Sequence, residues 1–214
     1  MSTILNLPVS IGEAIDKLSI LDIKNEKITD KRKKDVKNEY DLLYDNLKEF
    51  IIKYESLYKT MKKVNLLIWD MMDLLRDGDL NDGLYLKICR ECVEFNDIRF
   101  RVKNKINYLS KSFLKEQKSY KVNRLVITIK QDIKDILLLD IIKYFSFIYD
   151  EIIIESSQSL SYLRDFFHYD IDIIFTADTE TEYKTKVQLE NEQYFGDELY
   201  NLFNISFNDL NKVI

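Results

Sequence analysis

Hydrophobic residues recur through the first half of the chain with one persistent period. From Val36 they step by four residues and then three: Val36, Tyr40, Leu43, Leu47, Phe50, Tyr54, Leu57, Met61, Val64, Ile68, Met71 and Leu75. That is a heptad seam, and no proline or glycine interrupts it. It predicts one helix over residues 31–77, about 70 Å long at 1.5 Å per residue, ended by Asp77-Gly78-Asp79. Tyr85, Ile88, Cys92, Phe95, Arg99, Val102, Ile106, Leu109 and Phe113 carry the same spacing into a further helix, with Arg99 its one polar seam residue. Upstream, Ser10 followed three residues later by Glu13 forms a capping box. Ile11, Ile15, Leu18, Leu21 and Ile28 then give a first helix its apolar face.

These lengths imply a layout. The long helix is a spine, the first helix lies along its lower half, the third along its upper half, and the two meet near Leu47–Phe50. Ile51, Leu67, Met72 and Leu74 flank the seam and would stay open in a two-stranded layer. A homodimer with four-helix cross-sections would cover them. The same register sets Asn65 nearly opposite Asn96, which predicts a polar pair across the seam.

After residue 120 the pattern changes. Arg124–Ile129, Asp150–Glu155 and Asp170–Phe175 are short runs rich in β-branched residues, separated by helical stretches at Ile133–Ile148 and Ser159–Phe167. Strand–helix–strand–helix–strand predicts a parallel sheet with right-handed crossovers. Residues 189–203 and 206–213 read as further helices, and Ile4–Leu7 as a short strand able to join the sheet. The expected fold class is therefore α+β. A long antiparallel, coiled-coil-like helical hairpin (residues 1–120) precedes a small three-layer α/β unit with a short parallel sheet (121–214).

Charge sharpens that division. Residues 1–120 hold 23 Lys+Arg against 20 Asp+Glu, whereas residues 121–214 hold 9 against 17, so the net of −5 is concentrated in the second part. An acidic unit repels phosphate, which argues against nucleic acid as its partner. No apolar run reaches the ~18–20 residues needed to cross a bilayer, and the N-terminus lacks a basic start and long apolar stretch. No membrane association and a cytoplasmic location are expected.

Val9-Ser10-Ile11-Gly12-Glu13-Ala14-Ile15-Asp16-Lys17-Leu18-Ser19-Ile20-Leu21-Asp22-Ile23-Lys24 resembles the opening of a family of short bacterial helical proteins of unknown function, V-S-[AI]-G-E-L-I-D-K-[IL]-[ST]-I-L-E-I-K. Three further blocks are similar to that family: Asn65 with Leu67-Ile68-Trp69-Asp70 and Arg76; Phe95-Asn96-Asp97-Ile98-Arg99 with Lys105-Ile106-Asn107; and Glu116-Gln117-Lys118-Ser119-Tyr120. Ala14 stands where the family usually has leucine. The resemblance covers residues 9–120 and implies no catalytic role, because the family has no established activity. It implies a glycan association, since genes of that family often sit near glycosyltransferase genes. Two alanines, four glycines and one proline among abundant Ile, Asn, Lys and Tyr point to AT-rich coding, which would suit a large DNA virus carrying a bacterial-type gene.

Candidate chemistry is sparse. Ligands of open parallel sheets bind at the carboxyl ends of the strands. Those ends supply Lys130, Asp132, Ser156, Ser157 and Asp178 as candidate ligand-binding residues. Ordinary caps and turns explain them better, and no glycine-rich loop accompanies them. Cys89-Arg90-Glu91-Cys92 matches C-x-x-C, but zinc wants about four ligands and the single histidine, His168, lies far away in sequence. Core cysteines are expected, with no metal and no cofactor. Asp170-Ile171-Asp172 matches a D-x-D motif but opens its strand, where glycosyltransferase motifs follow theirs. Trp69 is expected to pack beside the seam. The leading expectation is a non-enzymatic, oligomeric assembly or adaptor protein. The alternative is a glycan-pathway enzyme or glycosyltransferase-like fragment binding a nucleotide sugar through the α/β unit.

Overall fold

A computed structural model describes residues 5–119, 122–129, 135–156, 160, 163, 172–176 and 185–189. The fold is α+β, and the chain divides into two compact units, residues 1–117 and 118–214. The first contains α1 (Ile11–Lys27), α2 (Lys33–Lys53), α3 (Glu55–Asp77) and α4 (Asp82–Leu109). The second contains β1 (Arg124–Ile129), α5 (Asp135–Phe145), β2 (Glu151–Ser156), β3 (Asp172–Thr176) and β4 (Thr185–Leu189).

The single helix expected over residues 31–77 is two helices that meet at Tyr54, whose φ of −118° and ψ of 39° leave the helical region. The helical hydrogen bonds on either side persist, from Tyr54 N to Phe50 O at 2.9 Å and from Tyr58 N to Tyr54 O at 3.0 Å. The direction of the axis nevertheless changes. In a straight helix Tyr40 and Tyr58 would stand about 27 Å apart, yet the Asp22 carboxylate on α1 accepts from the Tyr58 hydroxyl at 3.1 Å and its charge also acts on Tyr40. Lys17 on α1 reaches Glu39 on α2 at 2.7 Å. No breaker residue marks this corner. The apolar face of α1 is wide enough to take both legs, and packing overrides the local helical preference.

Consequently α1 does not lie only along a spine. It packs on α2, α3 and α4 together. Ile15, Leu18, Leu21 and Ile23 of α1 join Leu47, Met61, Val64, Ile88, Phe95, Val102 and Ile106 as the fully buried apolar core of this unit. The heptad seam keeps its inward phase through the corner, and none of its twelve positions is fully exposed. α3 and α4 run antiparallel through the turn at residues 78–81, where Asn81 caps α4 by accepting from Leu84 N at 2.9 Å.

At its other end α4 stops short of the expected Phe113. Lys111 takes a left-handed φ of 55°. Lys111 N then bonds Tyr108 O at 3.1 Å and Ser112 N bonds Asn107 O at 2.9 Å, the paired bonds of a Schellman ending. The reversal throws Phe113 outward, where it is 98% exposed.

The second unit is built on a sheet of order β3-β2-β1-β4 with every pair parallel. Val126 on β1 faces Ile153 on β2 and Lys186 on β4, and Ile153 faces Ile174 on β3. Leu125, Ile127 and Ile129 pack with Leu138, Ile142 and Phe145 of α5 on one face, while Val126 and Ile153 are buried on the other. Burial on both faces is what parallel strands require. The fourth strand, β4, was not anticipated. Leu189, expected to open a helix over 189–203, instead ends β4; residues 190–203 and 206–213, and all of Ser159–Phe167 except Leu160 and Leu163, lie outside the described residues. Leu5–Val9 carry no regular secondary structure, with Leu5, Leu7 and Val9 exposed, so the strand expected at Ile4–Leu7 is not formed over residues 5–7; Ile4 lies outside the described residues.

Candidate functional site

Of the candidate ligand residues, Ser156 ends β2, half-buried and in register with Ile129 at the end of β1. Lys130, Asp132, Ser157 and Asp178, like His168 and Asp170, lie outside the described residues. One register step below the strand ends, Glu155 is buried and accepts from the Thr128 hydroxyl at 2.6 Å. At the opposite end Arg124 pairs with Glu151. The chain steps from β1 to β2 to β3 on one side, and β4 returns on the other side of β1. The strand order therefore reverses between β1 and β4, and open parallel sheets place their ligands at such a reversal.

The most completely built polar constellation is in the helical unit, where α1 meets α3 and α4. It starts from the first turn of α1, whose N–H groups have no partner inside the helix. Ser10 Oγ accepts from Glu13 N at 3.1 Å, Asn107 Oδ1 accepts from Gly12 N at 2.7 Å, and Ser112 Oγ accepts from Ile11 N at 3.2 Å. The Schellman turn thus delivers Ser112 to α1. These donors are spent on the protein itself, so this helix start is not an anion site. The approach is close: a Cβ on Gly12 would stand 2.4 Å from the Lys103 carbonyl oxygen.

One turn further along, the Asp16 side chain is 2% exposed and accepts two parallel bonds from Arg99, Nε to Oδ1 at 2.8 Å and Nη2 to Oδ2 at 2.6 Å. Asn65 Nδ2 donates to the same Oδ1 at 2.8 Å and to Ser19 Oγ at 2.7 Å, and Ser19 donates to the Asp16 carbonyl at 2.8 Å. The bond to Asp16 raises the pKa of Arg99. Lys103, its amine largely buried, lies between Glu13 at 3.1 Å and Glu116. Lys62 joins Asp22 and Glu26, each at 2.7 Å. Apart from the Ser19 bond within α1 and the contact of Lys103 with Glu116, which lies past the end of α4, each of these interactions ties α1 to α3 or α4.

The expected Asn65–Asn96 pair is not formed. Asn96 is exposed and Asn65 turns to α1 instead, because Asp16 offers a charged acceptor where Asn96 could offer only another amide. Arg99 was visible in the sequence as the odd residue in its seam, and an arginine there demands an acid. Asp16, flanking the apolar stripe of α1, was the signal for that partner.

Chemically, the centre of this constellation is closely paired. Both carboxylate oxygens of Asp16, the Asn65 amide nitrogen and the Ser19 hydroxyl are engaged, while the Asn107 amide nitrogen is buried without a partner. Elsewhere, Cys92 Sγ meets Met71 Sδ across the α3–α4 seam at 3.6 Å, and Cys89 lies one turn away, half-buried. Trp69 is half-buried beside the seam. Among the described residues no helix is long and apolar enough to cross a membrane. No protein family, curated protein or solved structure matches the chain.

Proposed function

We propose that this chain is a non-enzymatic assembly protein whose helical unit pairs with a second copy. One observation carries the reading. Beyond the contact of Lys27 with Asp70, α3 and α4 extend without α1 over them. There Leu74 is 53%, Leu86 55% and Val93 64% exposed, with Met72 half-buried. Two helices alone leave apolar residues on both flanks, and a second hairpin laid against them makes a four-helix layer. The buried Asp16–Arg99 pair, with both carboxylate oxygens engaged, fits a rigid support better than a reaction centre. The residues that carry the resemblance to short bacterial helical proteins include Ser10, Gly12, Glu13, Asp16, Ser19, Asn65, Arg99 and Asn107, which are the residues of this network. We read the resemblance as a shared way of fixing the first helix. Two free thiols fit a reducing, cytoplasmic setting. Light scattering of the full chain at tens of micromolar should give twice the monomer mass; a monomer would remove the reading.

A second reading rests on the strand order. The reversal between β1 and β4 gives the α/β unit the topology in which nucleotide-type ligands sit at the carboxyl ends of the strands, here the ends of β1 at Ile129 and β4 at Leu189. A three-layer arrangement would complete it. A thermal-shift screen with nucleotide sugars separates the two readings: a saturable rise in melting temperature favours ligand binding, and no rise leaves assembly.

A further inference from the structure

Among the described residues, no three His, Cys, Asp or Glu side chains are placed to hold a metal ion. Thioethers are a further class of metal donor, and between α3 and α4 Cys92 Sγ meets Met71 Sδ at 3.6 Å. Cys89 precedes Cys92 by three residues on α4, so the two thiols share one helix face. All three residues are half-buried rather than sealed in the core, which leaves an approach from solvent. We propose that Cys89, Cys92 and Met71 form a three-sulfur site for a soft monovalent ion of the copper(I) class.

The donor set selects the ion. Thiolate and thioether ligands favour soft metals, whereas calcium and magnesium require oxygen donors. Zinc wants a tetrahedral set of about four thiolate, imidazole or carboxylate ligands, and only two such groups are present here. Copper(I) is satisfied by two or three sulfur atoms. The Cys92 and Met71 sulfurs, already within 3.6 Å, can bind one ion between them with small rotations of flexible side chains, and Cys89 approaches from one turn away on the same helix face. Binding replaces two S–H protons by one metal ion, and the thioether donates a lone pair without losing a proton. Two protons are released, the sulfur–copper unit carries one negative charge, and no electron is transferred.

The experiment is an anaerobic titration of the reduced full-length chain with copper(I) in competition with the chromophoric chelator bathocuproine disulfonate. X-ray absorption at the copper edge follows. The expected result is one copper per chain with a first shell of sulfur only. Cys89→Ser should abolish retention, and Met71→Leu, which conserves volume, should weaken it by about tenfold or more, on the scale of a lost supporting interaction at a metal site. Transfer of all copper to the chelator by the wild-type chain overturns the proposal, as does a nitrogen or oxygen shell. Circular dichroism checks folding. If Cys89→Ser unfolds, Met71→Leu decides alone, and unchanged affinity there overturns the three-sulfur site.

Discussion

At position 12 a single methyl group would collide with backbone, since the Lys103 carbonyl oxygen lies 2.4 Å from where it would sit. A carbonyl inside a helix cannot step aside as a flexible side chain can. Gly12→Ala should therefore cost about 3 kcal/mol, the upper part of the overpacking range, read as a lower denaturation midpoint with unchanged slope. Asp16 and Arg99 make an asymmetric pair, because the carboxylate is buried and the guanidinium partly wet. Arg99→Leu strands a buried charge and should cost roughly 3–5 kcal/mol. Asp16→Asn leaves a cation that water can reach and should cost clearly less in the same urea titration. Lys111 is a third case. An L-residue held at φ 55° bears a steric penalty of roughly 1–2 kcal/mol. Lys111→Gly should stabilise the protein by about 1 kcal/mol, visible as a higher melting temperature. The Ser10 cap was legible in the sequence because its partner is three residues away. The reversal at Lys111 was not, because a lysine stands where glycine usually signals it.

At the level of elements, the corner at Tyr54 has the largest effect on the helical unit. Its seam residues were legible, since burial follows the heptad phase on both sides. Its direction was not, since nothing local distinguishes Tyr54 from its neighbours and the bend is imposed by α1. The corner brings Tyr58 against Asp22 and holds the phenol out of water. Burial first, and the Asp22 charge second, raise the Tyr58 pKa well above its ordinary value. A group whose folded pKa is raised adds stability that is complete below the unfolded value, about 10 for tyrosine, and is lost as the pH climbs beyond it. The unfolded chain releases that proton first. Stability should thus fall between pH ~10 and ~11, and Tyr58→Phe should make that slope shallower by up to about 1.4 kcal/mol per pH unit. An unaltered slope in alkaline urea titrations would show that Tyr58 is not the source. In the sheet, β1 and β2 were legible as β-branched runs. β4 was not, because Thr185-Lys186-Val187-Gln188-Leu189 alternates polar with apolar over only five residues and its pairing with β1 is remote in sequence.

For the whole molecule, the two-part division follows from composition as well as from contact. The charge imbalance, the change of period after residue 120 and the break between residues 117 and 118 coincide closely. What the sequence could not show is how far α1 covers the α3–α4 pair, because that depends on the corner. The uncovered stretch makes self-association testable by charge. Val93→Glu places a carboxylate on an exposed position, 64% accessible in the single chain, so its own fold should tolerate the change within about 0.5 kcal/mol. A paired copy should not, and the expected outcome is a shift from dimer to monomer in sedimentation equilibrium with an unchanged helical spectrum.

The place of β1 in the sheet also bears on how the protein is made. As the chain leaves the ribosome, β1 can find β2 after about two dozen residues, but its other flank waits for β4, which ends at Leu189, sixty positions after Ile129. During that interval the central strand is temporarily an outer one, with a row of unmet amide and carbonyl groups along an apolar segment, the kind of template on which nascent chains stick to one another. The helical unit has its contacts within residues 1–117 and is synthesised before β1 begins. Vectorial synthesis therefore sets an order, with a finished helical body preceding a sheet that stays open-sided until β4 emerges. That vulnerable interval is a property of strand order alone.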